Sequence, residues 1–339
     1  MIYFFAIIFS FLVTYLLVPL NIKLSKKFGI IDNPNERAIH KTALPLAGGL
    51  SFGIPIIILQ LIGYFFWGEL MLFLAIGSFM ILMLGLLDDK AAFTANHKLL
   101  FQVLIVTFMF CCDFRIELLT NPFGDSLELS FFSYPATLLW FLVVVNAFNL
   151  IDGLDGLATG IALIAALILF AVGLIKQNYL IIYLSLILIG ANAAFLRYNF
   201  FPAKIFMGDT GSLLLGFNIA AISIAGDGEF KGVTSMTILV PIIILTVPLM
   251  DMTLAVLRRV KRKKNIFQAD KEHIHHKLYD LGISQKNIAL ISYFITFLFG
   301  LIGFGFLLSS KKLLMIVLVI LLVILLIITY KIFKKELIK

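Results

Sequence analysis

Four short polar breaks interrupt this chain, and they hold the residue types that do chemistry. Asp88-Asp89 closes one apolar run. Asn146-Ala147-Phe148-Asn149-Leu150-Ile151-Asp152-Gly153-Leu154-Asp155-Gly156 closes another. Phe206-Met207-Gly208-Asp209-Thr210-Gly211-Ser212 opens a third, and His273-Ile274-His275-His276 follows a basic stretch. Carboxylates that converge at a wet interface repel one another unless a cation neutralises them. Hard oxygen donors suit Mg²⁺, which keeps waters and uses one or two carboxylates plus substrate phosphates. Asn146 and Asn149 share a helical face that Asp152 continues; such amides bond a ligand or a neighbouring helix. The two glycines around Asp209 read as a tight turn into a helix, whose N-terminus favours phosphate. The plainer reading makes Asp209 or Thr210 a cap. His273 and His276 share a face on a helix while His275 points elsewhere, and imidazoles can bond phosphate or move protons. A zinc site would need a fourth ligand, and Cys111 and Cys112 lie at the far end of their segment.

The elements that position these breaks are membrane segments. Hydrophobic residues make up 61% of the chain and charged residues 14%, with a mean hydropathy of +1.07. A soluble domain is nearer half apolar and a quarter charged. The apolar runs are too long for barrel strands, so the expected fold is an all-α polytopic bundle. Eleven segments are expected: 2–20, 46–66, 70–87, 98–112, 134–150, 157–175, 179–197, 212–226, 235–257, 289–309 and 312–331. No linker divides them, so 1–339 reads as a single membrane domain. The first segment lacks a basic leader and a cleavage site and reads as a retained helix. The loop 113–133, with alternating Leu127-Glu128-Leu129-Ser130-Phe131, suggests a small hairpin.

An odd number of spans puts the termini on opposite sides. With the N-terminus outside and the C-terminus in the cytoplasm, 22 Lys and Arg fall inside and 5 outside. That follows the positive-inside rule. The +8 net charge is then a topology signal, with anionic lipid as a contact and no nucleic acid implied. All four breaks fall on the cytoplasmic face, in or beside the loops 88–98, 151–156, 198–211 and 258–288, which share that face with the loop 21–45. Ionisable groups at membrane depth mark function by default. A cleft lined by acids, bases and histidine suits a phosphate-containing substrate from water and a lipid arriving from the side, with phosphoryl transfer as the reaction class.

Leu86-Leu87-Asp88-Asp89, NAFNLIDGLDG (146–156), FMGDTGS (206–212) and DKEHIHH (270–276), taken together and in this order, resemble the polyprenyl-phosphate N-acetylhexosamine-1-phosphate transferases, glycosyltransferase family 4. That family includes the phospho-MurNAc-pentapeptide translocase and the WecA/TagO-type GlcNAc-1-phosphate transferases. The resemblance covers about 32–282. It implies a bacterial cytoplasmic-membrane enzyme that transfers an N-acetylhexosamine-1-phosphate from a UDP-sugar to undecaprenyl phosphate. The products are the lipid-diphospho-sugar and UMP, at the first membrane step of a cell wall, O-antigen or teichoic acid polymer. It also implies Mg²⁺, with Mn²⁺ as a substitute, on Asp209 and the neighbouring Asp88 and Asp89. Asp88 matches the residue that deprotonates or orients the lipid phosphate. Lys98 matches a lysine near the phosphates. Asn149 and Asp152 match the nucleotide side, where Asn146 and Asp155 are also counted. His273, His275 and His276 match the loop over the diphosphate and sugar, with His275 and His276 in catalytic roles. A homodimer is compatible with the resemblance.

Two departures narrow the resemblance. Lys90-Ala91-Ala92-Phe93 follows the aspartate pair where some relatives have a further acid. His-Ile-His-His replaces three consecutive histidines, which resembles the WecA/TagO-type branch and argues against MurNAc-pentapeptide; GlcNAc is the first choice, with GalNAc and FucNAc as alternatives. An ion-coupled transporter is the alternative from another class, but its acids belong at the midplane rather than at one interface. A CDP-alcohol phosphotransferase lacks its later aspartates here.

Overall fold

A computed structural model describes residues 1–32, 43–119, 127–225 and 274–308, with isolated positions and short stretches between 242 and 259 and between 314 and 327. The chain is a multi-pass helical membrane protein. Helix α1 spans Ile2–Phe28, α2 Gly49–Trp67, α3 Glu69–Ala91, α4 Ala95–Cys111 and α5 Ser133–Ile151. Then come α6 Leu157–Lys176, α7 Tyr179–Asn199, α8 Gly208–Ile224, α9 Ile274–Asp280 and α10 Gln285–Leu308. Among the described residues, seven helices are long and apolar enough to cross a membrane. Ala95–Cys111, Gly208–Ile224 and Ile316–Leu325 are shorter apolar helices. The expected segment 235–257 falls mostly outside the described residues. Two short antiparallel strand pairs complete the described structure. Ile31–Asp32 (β1) meets Leu44–Pro45 (β2), and Leu118–Leu119 (β3) meets Leu127–Glu128 (β4), the hairpin expected in the 113–133 loop.

Helix α1 turns small and polar residues inward and large apolar ones outward, while the other helices bury a mostly apolar core. On α1 the buried stripe is Ala6, Ser10, Thr14, Val18, Asn21 and Ser25. Phe4, Phe11, Leu12 and Leu16 face outward. Small residues let helices approach where lipid supplies no hydrophobic drive between them. Helix α8 is the hub. Nearly every residue from Gly208 to Ile224 is buried, against α3 and α5 first and α2 next. Gly49 of α2 and Gly85 of α3 make that possible: a Cβ on either would strike the backbone of Asp209, Thr210 or Gly211.

Helix ends fall beyond the apolar runs. Helix α1 continues to Phe28 and stops at Gly29, whose φ of 70° and N–H bond to the Ser25 carbonyl form a left-handed cap. The Thr94 side chain caps α4 through the His97 N–H, so α4 starts three residues before the expected 98. The connection expected over 88–98 shrinks to Ala92–Thr94. Asp209, expected in a loop, stands in the first turn of α8.

Candidate active site

The site forms where α3, α5 and α7 end and α4, α6 and α8 begin, at one end of the bundle. Its organising contact is Asp89. One carboxylate oxygen accepts the Asp209 N–H at 2.8 Å. The other accepts the Thr210 N–H at 3.0 Å and the Thr210 hydroxyl at 2.5 Å. The last turn of α3 thus caps the first turn of α8. A carboxylate at a helix N-terminus satisfies orphan N–H groups and complements the dipole. This corrects the two sequence readings of that terminus. It is not open to phosphate, and neither Asp209 nor Thr210 is its cap; Asp89 fills it.

With Asp89 turned inward, Asp88 faces the cleft. Its Oδ1 accepts the Phe93 N–H at 2.7 Å, which fixes the carboxyl against the α3–α4 turn. Its Oδ2 meets Lys98 Nζ at 3.0 Å. Lys98 also pairs with Asp209 and reaches Asn149 Oδ1 at 3.3 Å. The Asn149 amide in turn donates to Asp209 Oδ1 at 2.6 Å and to Ser212 Oγ at 3.1 Å. The Asp88 and Asp209 carboxyls lie within hydrogen-bonding reach of each other. Four helices therefore bring two carboxylates, one ammonium and one amide to a point. All three charged side chains are largely buried, with Lys98 14%, Asp88 10% and Asp209 28% exposed.

Asp152 sits on the turn between α5 and α6. Among the described residues its carboxyl has no hydrogen-bonding or ion-pair partner. Burial, with the nearby carboxylates of Asp209, Asp89 and Asp155, pushes it well above the usual carboxylate range. Asp155 is committed to structure: its Oδ2 accepts the Ala203 N–H at 2.9 Å. Asn146 is not brought to the cluster. Its amide donates to Gln102 Oε1 of α4 at 2.8 Å, a helix–helix contact one turn deeper. His273 and the side chains of His275 and His276 lie outside the described residues; the backbone of the latter two is in the first turn of α9. Ser212 and Gln102 were not expected at the site. Ser212 stands inside the FMGDTGS run, so its signal was present. Gln102 had one too, a lone amide one turn from Lys98 in an apolar helix.

The comparisons with known proteins fit this geometry. The model for glycosyl transferase family 4 matches residues 71–227. A probable undecaprenyl-phosphate N-acetylglucosaminyl 1-phosphate transferase of Bacillus subtilis (strain 168) is 39% identical over 297 residues, which is 87% of this chain and 82% of that protein. The chain belongs to glycosyl transferase family 4. Two further relatives are less similar. A decaprenyl-phosphate N-acetylglucosaminephosphotransferase of Mycobacterium tuberculosis is 31% identical, covering 83% of this chain and 76% of its own length. A phospho-N-acetylmuramoyl-pentapeptide-transferase of Caldicellulosiruptor bescii is 31% identical, covering 88% and 95%. The family 4 match contains Asp88, Asp89, Lys98, Asn149, Asp152 and Asp209, so the whole described cluster lies within it.

The donor set suits the Mg²⁺ that family 4 implies. A cation, the Lys98 ammonium, already stands among oxygens of Asp88, Asn149 and Asp209. All three are hard donors. Among the described residues no group of three or more His, Cys, Asp or Glu is arranged to hold an ion unaided. Mg²⁺ does not need one, because it completes its shell with water and substrate phosphates.

Proposed function

We propose that this chain transfers N-acetylhexosamine-1-phosphate from a UDP-sugar to undecaprenyl phosphate, at the cytoplasmic face of the bacterial cytoplasmic membrane. GlcNAc-1-phosphate is the preferred group, since the relative at 39% identity is named for it while the pentapeptide enzyme stands at 31%. The observation that carries the reading is the junction of Asp88, Lys98, Asn149 and Asp209 at one end of the bundle. There a lipid head group and a soluble nucleotide can meet. Twenty-two of 27 Lys and Arg on that side, with the N-terminus outside, support the orientation.

A phosphate oxygen of the lipid attacks the β-phosphorus of the UDP-sugar. The new P–O bond forms as the bond from that phosphorus to the bridging oxygen breaks, and UMP leaves with the electron pair. Asp88, pinned by the Phe93 N–H at the membrane edge, orients the lipid phosphate and takes its proton when it carries one. Lys98 neutralises charge that gathers on the transferring group. Asn149 and Ser212 hold Asp209 in place, and Asp152 faces the nucleotide. His275 and His276 are assigned to the diphosphate, as the resemblance of DKEHIHH (270–276) implies. Asp209 and Asp88 would hold Mg²⁺, which when bound supplies charge neutralisation of the diphosphate.

The test is a panel of UDP-sugars on membrane vesicles, with labelled lipid product and UMP as readouts. Inverted vesicles should convert UDP-GlcNAc, while right-side-out vesicles should not, because the nucleotide sugar does not cross the bilayer. Product from UDP-GalNAc or UDP-MurNAc-pentapeptide alone would reassign the sugar. No UMP from any UDP-sugar would remove the reading.

A further inference from the structure

The turn that carries Asp152 is gripped from two sides. On one, Asp155 accepts the Ala203 N–H at 2.9 Å, which ties it to the segment leading into α8. On the other, α10 reaches across. The Tyr293 hydroxyl donates to the Gly156 carbonyl at 2.5 Å, over a sequence separation of 137 residues. Gly156 has a φ of 74°, so it is the residue at which the chain reverses into α6. Its carbonyl also accepts the Gly160 N–H at 2.9 Å, the first helical bond of α6. The Tyr293 ring lies where Gly160 has no side chain: a Cβ there would strike the ring and its oxygen. Hydroxyl and ring thus fit one slot made by Gly156 and Gly160. Helix α10 is itself held to α9 by the tight turn at Gly282, with Gly282 N–H to the Tyr279 carbonyl at 2.9 Å and Ile283 N–H to the Leu278 carbonyl at 3.2 Å.

We propose that Tyr293 is a positioning residue that fixes the 152–156 turn from α10 and thereby sets the affinity for the donor nucleotide. It touches no reacting atom. Because the Gly156 carbonyl keeps its Gly160 bond when the hydroxyl is removed, loss of the hydroxyl leaves no orphaned acceptor. What changes is how firmly the turn is held. The nucleotide part of the inference rests on the function proposed above.

The variant is Tyr293→Phe, which keeps the ring in its slot. It should raise KM for UDP-sugar about tenfold, the scale of one net hydrogen bond, with kcat within about twofold and KM for polyprenyl phosphate unchanged. Amide hydrogen exchange at 153–157, read without substrate, should speed up about tenfold. The matched control is Tyr183→Phe. The Tyr183 hydroxyl donates to the Leu59 carbonyl at 2.8 Å, a buried bond at the other end of the bundle. That variant should move neither readout. Unchanged exchange at 153–157 in Tyr293→Phe overturns the inference whatever the activity. So does faster exchange with an unchanged KM, or an equal KM shift in Tyr183→Phe. If the wild-type protein turns over no UDP-sugar, the proposed function has failed, and the exchange measurement still decides the grip.

Discussion

Helix α8 carries two polar clusters of different character. At its start Asp209 meets Asp88 and Lys98 of neighbouring helices. Nine residues on, about 13 Å along the axis, Asn218 meets Gln60 of α2 at 2.6 Å and Ser78 of α3 at 3.2 Å. The second cluster is fully buried and neutral. A charge at the bilayer centre costs about 3 kcal/mol or more, whereas a paired amide there contributes about 1 kcal/mol to helix association. The chain follows that ordering. Along α8 charge is confined to the first turn, and uncharged amides set helix register in the middle. The two are linked by geometry, because α3 supplies both Ser78 and the aspartate pair.

The contrast is broken most sharply at Asp209. An Asp209→Asn change keeps size and the α8 packing but removes the charge opposite Lys98. Turnover should fall about 10²-fold or more, the scale of losing one key electrostatic group, while thermal unfolding moves little. Wild-type activity should vanish in excess chelator and return with Mg²⁺ or Mn²⁺. Full activity of either the variant or the chelated enzyme would place the reacting centre elsewhere.

The adjacent aspartates sharpen it next. Asp88 faces the cleft, and Asp89 caps α8 with three accepted bonds. Asp88→Asn should lower turnover about tenfold or more while leaving UDP-sugar binding, read by calorimetry, largely intact. Asp89→Asn should instead cost stability, about 1–3 kcal/mol, because its amide NH2 must face the Asp209 or the Thr210 N–H and leave that donor unmatched, and should depress activity through misplacement of Asp209. If Asp89→Asn leaves the unfolding temperature unchanged and Asp88→Asn lowers it, the two roles are exchanged.

This division of labour was only partly legible in the sequence. The apolar runs and the carboxylates that interrupt them were plain, because a charge in such a run is costly and stands out. The direction each carboxylate faces was not. Asp88 and Asp89 are neighbours in one helical turn, and only the approach of α8, through glycines 49 and 85, decides which becomes the cap. Asn146 follows the second of its two sequence readings, the contact with a neighbouring helix, for a related reason. Three residues on a helix turn the side chain through about 300°, so Asn146 and Asn149 share a face only within about 60°. Here that difference sends Asn146 to Gln102 and Asn149 to Asp209. The helix ends beyond the apolar runs were hidden as well, since Thr94 and the last turn of α1 are polar and lie where hydropathy has already fallen. Tyr293 gave no signal, being one aromatic residue among many in an apolar segment.

The smallest effect belongs to the middle of α8. Asn218→Leu removes the amide that joins α2, α3 and α8. It leaves Gln60, whose Oε1 already lacks a partner among the described residues, without its 2.6 Å acceptor. An unmatched buried polar group costs about 1–3 kcal/mol, so the variant should unfold at a lower temperature in detergent. Turnover per folded molecule should stay within about threefold, because packing at Gly49 and Gly85 still fixes the start of α8 and no charge has moved. Adding Gln60→Leu should recover most of the lost stability, since replacing both partners by apolar groups is close to neutral. Thermal unfolding and single-turnover transfer on the two variants measure this. If Asn218→Leu abolished transfer while stability held, the neutral cluster would belong to the reacting site, and the separation of charge from register along α8 would be wrong.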